Sequence, residues 1–568
     1  MVFKIADNII SPLGKTSEQN YLAVKSGKSA LAPHRIPGLE ERVYASLFSD
    51  GERHGLQAEG LSRFESLVYR SAVQALEEVD GKFDVAGKDV VFVLGTTKGN
   101  IELLGDNASE EDVLPGESAR KICSRLGITT VPVVVCNACI SGLSSIILAS
   151  RLLESGAFKY AVVCGADVLG KFIISGFQAL KTLSDEACRP FDIERCGMNL
   201  GEAAATVVLS AVQPEGKCWR IEAGAVRNDA HNQTAPSPKG EGAYLAISQV
   251  LEGYDPRRLA LVNAHGTSSL FMDQMESVAL ERAGLSDVPA NSLKGYFGHT
   301  LGAAGILETV ITMKSLEEDF VLGTKGFEEL GVSSRIKVSH YPSSAEGKKG
   351  FVKTVSGFGG ANAAILANYD SDYSDKKLTA PKFSETHRVR FTPSGVVVDG
   401  TALALPEGLS GKEILTFLYR EKIGNYPLFY KMDLLGRLGF IASELLLETE
   451  GKKRFTGTDS RAVILFNRSS SLMTDRKYLG TIAEDNYYPS PALFVYTLPN
   501  ITTGEIAIRN KYNGETSFYI LPEKDWTVMG NVLNAALLDR KTASVISGWI
   551  DCTDENCFEA DMFIAEKK

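Results

Sequence analysis

Two kinds of hydrophobic pattern alternate along the first 368 residues. The runs VVFVLGT (90–96), VPVVVC (131–136), YAVVCGAD (160–167), AAATVVLS (203–210), LALVNAHG (259–266) and FVKTVSGFGG (351–360) are short, continuous and mostly Val-rich. Such runs belong to strands buried on both faces, so they predict a sheet covered by helices. Between them, ESLVYRSAVQALEEV (65–79) and SGLSSIILASRLLESG (141–156) space their apolar residues as helices do. In the second, Leu143, Ile146, Ile147 and Leu153 share one face and Gly156 ends the helix. The alternation predicts a layered α/β domain. From 369 to 388 the periodicity gives way to charge, Ser and Pro, which predicts a linker. A further α/β pattern fills 389–568, with strands near 462–466, 504–509 and 543–547 and helices over 428–448 and 525–540.

Composition narrows the class without naming a function. A chain of 568 residues is too long for one ordinary core. With 44% hydrophobic and 23% charged residues it is globular, and a net charge of −10 argues against nucleic-acid binding. The start, MVFKIADNII, lacks the charged head and apolar segment of a signal peptide, and no apolar stretch is long enough to span a bilayer. Nine cysteines, an odd number, suggest reduced thiols, so a cytoplasmic protein is expected.

Candidate chemistry centres on Cys136-Asn137-Ala138-Cys139, where a predicted strand meets a predicted helix. A zinc site would need a second ligand pair, which the sequence does not offer, and the context of a thiol–disulfide oxidoreductase is missing. Cys136 ends a buried strand and reads as a small hydrophobe. Cys139 falls at the turn, where free backbone N–H groups favour a thiolate and can hold an oxyanion. Local sequence leaves two buried thiols and a catalytic Cys139 equally open. Two histidines bear on the choice. His265 follows the strand LALVNA, with Thr267, Ser269, Asp273 and Glu276 beyond it; His299 follows a glycine turn, flanked by Lys294 and Glu308. A cysteine with two such histidines suits thioester chemistry, one group attacking and two polarising a carbonyl. The run Ser356-Gly357-Phe358-Gly359-Gly360-Ala361-Asn362 reads either as a hairpin turn or as a flexible backbone that donates an N–H to substrate.

In order along the chain stand Ser11-Pro12-Leu13-Gly14, Asn137-Ala138-Cys139-Ile140-Ser141, Arg189-Pro190-Phe191-Asp192 with Gly197 and Gly201, His265-Gly266-Thr267-Ser268-Ser269, Lys294 with Gly298-His299 and Glu308, and Gly357-Phe358-Gly359-Gly360. By these motifs residues 1–368 resemble the elongating β-ketoacyl-acyl-carrier-protein synthases of the thiolase superfamily. The resemblance implies a layered α-β-α-β-α fold of two duplicated halves, 1–211 with the nucleophile and 212–368 with the histidines. It implies that Cys139 carries an acyl chain as a thioester and that His265 and His299 hydrogen-bond the malonyl thioester carbonyl during decarboxylation. Lys294 and Glu308 would set the electrostatics around His299. The N–H groups of Cys139 and Phe358 would form the oxyanion hole, and Thr267 and Ser269 would bind the pantetheine arm. The implied partners are an acyl carrier protein, which supplies the phosphopantetheine, acyl and malonyl thioesters, and a like or related subunit in a homodimer or heterodimer. No metal and no cofactor of its own is implied. Two positions depart from the family pattern: Asn137 stands for Thr and Leu270 for Pro.

Residues 389–568 read as a third, degenerate copy of the first half, since RAVILFNRSSS parallels DVVFVLGTTKG and SVISGWID parallels AVVCGAD. The nucleophile's place in that copy is expected near Lys511, Tyr512 and Asn513, with no cysteine. A non-catalytic or chain-length partner subunit of a polyketide or aryl-polyene system is the alternative to a synthase. Its discriminator is the nucleophile, and Cys139 is present with both histidines.

Overall fold

The order of elements repeats three times. The first repeat comprises β1 (Val2–Ile10), α1 (Arg63–Glu77), β2 (Val90–Gly95), α2 (Pro115–Leu126), β3 (Val133–Val135), α3 (Ser141–Glu154), β4 (Tyr160–Asp167) and β5 (Ala203–Ser210). The second comprises β6 (Cys218–Asn228), α4 (Glu241–Val250), β7 (Leu259–Asn263), α5 (Leu270–Arg282), β8 (Pro289–Asn291), α6 (Ala304–Glu317), β9 (Gly350–Gly357) and β10 (Ala361–Asp370). The third comprises β11 (Phe383–Thr392), α7 (Leu434–Leu446), β12 (Arg461–Asn467), α8 (Asn500–Asn510), β13 (Thr516–Ile520), α9 (Trp526–Ala536), β14 (Ser544–Asp554) and β15 (Cys557–Lys567). These elements come from a computed structural model that describes residues 1–568 apart from 40–41, 106–107, 371–380, 484–485 and 488.

The pairing is the same in each repeat. Strands run β3-β2-β4-β5-β1, β8-β7-β9-β10-β6 and β13-β12-β14-β15-β11; the first two pairings in each set are parallel and the last two antiparallel. This is the thiolase-like layered α/β fold, with two complete halves and a third, degenerate one. Short contacts join the sheets: Val2 and Phe3 pair with Ile221 and Arg220, and Val134 and Val135 pair antiparallel with Ile520 and Tyr519. An edge strand exposes unpaired N–H and C=O groups. The β3 edge of the first sheet is therefore covered by β13 of the same chain.

α3 explains its own sequence. Every residue from Ser141 to Leu153 is buried, because α3 lies in a middle layer and packs on both α6 and α9. A helix surrounded by protein needs no polar stripe, which is why this stretch is so apolar.

Three expectations are corrected. Residues 504–509 are not a strand but part of α8, whose Asn500–Ala507 are all buried. Burial on every side outweighs the strand preference of its Ile and Thr residues. The expected linker 369–388 is shorter than its composition suggests, since β10 runs to Asp370 and β11 begins at Phe383; its residues 371–380 lie outside the described residues. The counterpart of the Cys139 turn is not at Lys511–Asn513. It is the β13–α9 connection, residues 521–525 (LPEKD), which holds no cysteine either.

The third repeat carries polar contacts on β11 and β15. Arg388 donates to both carboxylate oxygens of Asp561 (2.7 and 3.0 Å) and lies over the Trp526 ring at 5.2 Å. The same repeat is anchored to the first two repeats by buried ion pairs. Arg227 donates to both oxygens of Asp539 (2.8 and 3.2 Å), and Arg151 meets Glu515 at 2.5 Å and Asp539 at 3.5 Å. Burial pushes the Asp539 carboxyl up, but the two guanidinium groups outweigh it and hold it below its usual range. Removing one partner of a buried pair strands the other charge. Asp539→Ala is therefore expected to cost about 3–5 kcal/mol in a denaturant melt, and a loss under 1 kcal/mol would mean that Arg227 is hydrated in the folded state.

Candidate active site

The strand β3 runs out at Val135, and a single 3₁₀ turn, Ala138–Ile140, leads into α3. Ala138 has φ 48°, a left-handed conformation that a residue with a Cβ adopts only under constraint. The constraint comes from both sides. Asn137 N donates to Ser141 Oγ (2.9 Å), Asn137 Oδ1 accepts from Phe518 N (2.6 Å), and Asn137 Nδ2 donates to Ser517 Oγ (3.2 Å). The Asn137 departure thus has a structural reason: its amide ties the Cys139 turn to β13 of the third repeat, the oxygen accepting from Phe518 N and the nitrogen donating to Ser517 Oγ.

Cys139 and Cys136 part ways at this turn. The Cys136 thiol is buried and donates to Thr97 O at 3.2 Å. Cys139 lines a pocket of about 50 Å³ shared with His265, His299, Thr267, Met272, Phe177, Gln233, Gly357 and Phe358. The sequence-predicted Cys139, His265, His299, Thr267 and Phe358 therefore meet in one cavity. Burial pushes the Cys139 thiol up to about 12, opposed by the charge of Lys294. The expected resting thiolate at the helix start is thus overturned: desolvation at this depth outweighs the helix-terminal N–H groups.

The two imidazole rings stand edge to face with centroids 5.1 Å apart. His265 Nδ1 and both ring nitrogens of His299 are buried without a hydrogen-bond partner among the described residues. Burial, then the Lys294 charge, holds both histidines well below the usual imidazole value, so both are neutral at pH 7. A neutral imidazole offers one donor and one acceptor, which suits binding a carbonyl oxygen or taking a thiol proton.

Near the histidines lies a buried cluster of charges. Glu308 accepts from Lys294 Nζ and from Lys353 Nζ, each at 2.5 Å, and Lys353 also donates to Ala264 O at 3.2 Å. Burial alone would raise Glu308, but the two lysines bring it below its usual range. Lys353 is lowered to about 8 by burial, with Glu308 opposing. Lys353 escaped the sequence reading, although a lysine inside the Val-rich run FVKTVSG carries its signal. Asp273 and Glu276 lie outside the cavity and shape its wall. Glu276 accepts from His265 N (2.7 Å) and Gly266 N (2.8 Å), and Asp273 accepts from Thr267 N (2.9 Å) and Phe191 N (2.7 Å). Ser269 reaches the cavity through Thr267, their hydroxyls 3.0 Å apart. Leu270, the second departure, stands 55% exposed beside Phe271 at 73%, on the surface and not in the site.

The glycine-rich run is a hairpin turn and a pocket wall together. Phe358-Gly359-Gly360 joins β9 to β10, with Gly359 at φ 86° and Gly360 at φ 71°, while Phe358 stacks on Phe177 with centroids 6.2 Å apart. Among the described residues no group of three His, Cys, Asp or Glu side chains is spaced to hold a metal ion, and no helix is long and apolar enough to cross a membrane.

Comparison with known proteins agrees with this geometry. Residues 42–214 match the family described as beta-ketoacyl synthase, N-terminal domain, and residues 219–328 the beta-ketoacyl synthase, C-terminal domain. A 3-oxoacyl-[acyl-carrier-protein] synthase 2 of Vibrio cholerae is 28% identical over 405 residues, covering 63% of this chain and 96% of its own. The tetracenomycin polyketide synthase ketoacyl synthase alpha subunit of Streptomyces glaucescens is 31% identical over 279 residues, 45% of this chain and 64% of its own. Among solved structures, a ketosynthase (ApeO) in complex with its chain length factor (ApeC) from Xenorhabdus doucetiae covers 65% of this chain and 98% of its own, at TM-score 0.57 and 24% identity. The PfaC keto synthase–chain length factor covers all of this chain and 78% of its own, at TM-score 0.75 and 14% identity.

Proposed function

The chain belongs to the β-ketoacyl synthase family, and from that premise we propose that it condenses malonyl units onto an acyl group held as a thioester on Cys139. The observation that carries the reading is the shared pocket of Cys139, His265 and His299 with three free ring nitrogens. In acyl transfer the Cys139 sulfur attacks the thioester carbonyl of an acyl chain on a carrier protein. The thiol proton passes to a neutral imidazole and from there to the departing pantetheine sulfur. The N–H groups of Cys139 and Phe358 hold the oxyanion meanwhile.

In condensation, malonyl thioester loses carbon dioxide, and the electron pair of the broken C–C bond becomes an enolate. His265 and His299 donate to its oxygen. The enolate carbon attacks the acyl carbonyl, the Cys139 sulfur leaves as a thiolate that takes up a proton from water through a neutral imidazole, and a β-ketoacyl thioester remains on the carrier. Because no imidazolium is present, the enolate is stabilised by hydrogen bonds and by the buried lysines behind the rings. Thr267 and Ser269 bind the pantetheine arm.

The third repeat takes, within the same chain, part of the role of a chain length factor. The whole-chain match at TM-score 0.75 to the PfaC keto synthase–chain length factor supports this reading, as does a β13–α9 turn without cysteine. The partner is an acyl carrier protein in the cytoplasm, and the pathway is fatty acid or related polyene or polyketide synthesis. The test is carbon dioxide release from malonyl-carrier protein with acyl donors of graded length. Release that depends on an acyl donor supports condensation; no release with any donor overturns it.

A further inference from the structure

The Phe358 turn has little stiffness of its own, since two consecutive glycines follow the phenylalanine in left-handed backbone. Its polar backbone groups are nevertheless held, and the groups that hold them lead into the third repeat. Phe358 O accepts from Asn500 Nδ2 at 2.8 Å. Gly359 O accepts from Asn228 Nδ2 (2.7 Å), and that same amide donates to Thr516 Oγ1 (2.9 Å). Gly359 N donates to Gln233 O at 2.6 Å, and the Gln233 side chain donates to the buried Glu505, which also accepts from Tyr496 (2.7 Å). Gly504 lies so close that a Cβ there would stand 2.6 Å from Gly359 O. Asn500, Gly504 and Glu505 all belong to α8, one turn apart along its face.

The cavity gives this grip a consequence. About 50 Å³ beside Cys139 holds a few waters, not an acyl chain. The Phe358–Phe177 stack forms part of its wall, and Phe494 of the third repeat meets Phe177 edge-on at 5.5 Å. Moving the Phe358 turn away would enlarge the cavity and break the Asn500 bond.

We propose that α8 of the third repeat latches the Phe358 turn through Asn500 and Glu505, which act as positioning residues for loading of Cys139. The inference rests on the proposed synthase reading for its function, but its geometry can be tested apart from it.

The full chain with Asn500→Asp keeps the shape of the side chain and loses its donor. Hydrogen exchange of the peptide spanning 356–362 and alkylation of Cys139 by iodoacetamide should each quicken about fivefold, as the loss of one hydrogen bond from a closed state implies. Exchange elsewhere in the chain should be unchanged. Glu505→Ala should act in the same direction, and Glu505→Gln, which keeps the acceptor for Gln233 and Tyr496, should restore the slow exchange. With acyl donors, Asn500→Asp should alter the rate of Cys139 acylation and leave malonyl decarboxylation unchanged. Unchanged exchange and alkylation in a folded Asn500→Asp protein overturn the latch. Faster exchange in a chain whose wild-type Cys139 takes no acyl group would keep the latch and sink the synthase reading instead.

Discussion

Cys139→Ala is expected to abolish condensation, while Cys136→Ala keeps most of it. The two sulfurs are three residues apart but have different surroundings. Cys136 sits at the end of β3 with its thiol spent on Thr97 O, and Cys139 faces the pocket of the two histidines. Losing the attacking atom removes the covalent intermediate, a loss on the order of 10⁴-fold or more by analogy with other nucleophile deletions. Losing Cys136 removes one weak hydrogen bond and leaves a small cavity, an effect on stability of about 1–2 kcal/mol at most. Carbon dioxide release and mass spectrometry of the acylated protein distinguish the two. Equal loss from both variants, with folding preserved, would discard Cys139 as the sole nucleophile and revive a paired-thiol function.

His299→Ala should lose malonyl decarboxylation by about 10²–10³-fold, the usual worth of a donor to a developing oxyanion, yet still take an acyl group on Cys139. Acyl transfer can use His265 as the proton acceptor and the backbone N–H groups as donors, whereas the enolate needs both rings. An unacylated His299→Ala protein would contradict this division of labour. The pH dependence follows from the same burial. Both histidines are held well below the usual imidazole value, so they stay neutral as pH falls from 8 to 6. Their folded-state value lies below the unfolded one, so the unfolded chain binds the proton first, and stability falls as pH drops below about 6.5. Decarboxylation should therefore show no titration limb near 6.5. Any loss there should track the thermal melt.

The third repeat was the least legible part. Its strands at 461–467 and 544–554 showed as apolar runs, and its helices 434–446 and 526–536 as periodic ones, because each is buried on a face that its own residues pattern. α8 did not show. Its Ile and Thr residues prefer strands, and its packing against α7, β12 and β13 outweighs that preference. That misreading also displaced the expected nucleophile position by about ten residues.

The candidate set is legible in the sequence at Cys139, His265, His299, Lys294 and Glu308, because each stands in a local motif whose turn glycines and strand ends are themselves local features. Local sequence places Cys136 at a strand end and Cys139 at a helix start, and the structure puts only Cys139 in the pocket of the two histidines. What only the tertiary structure decided are the relations between distant residues. Lys353 joins Glu308 across 45 positions, Asn137 reaches Phe518 across 381, and Asn500 reaches Phe358 across 142. Such contacts leave no periodicity in either segment, since they depend on how elements distant in sequence pack against one another. The charge state of Cys139 belongs to the same class: a helix start favours a thiolate, but the depth of burial that keeps the proton on the sulfur exists only once α3 is enclosed by α6 and α9.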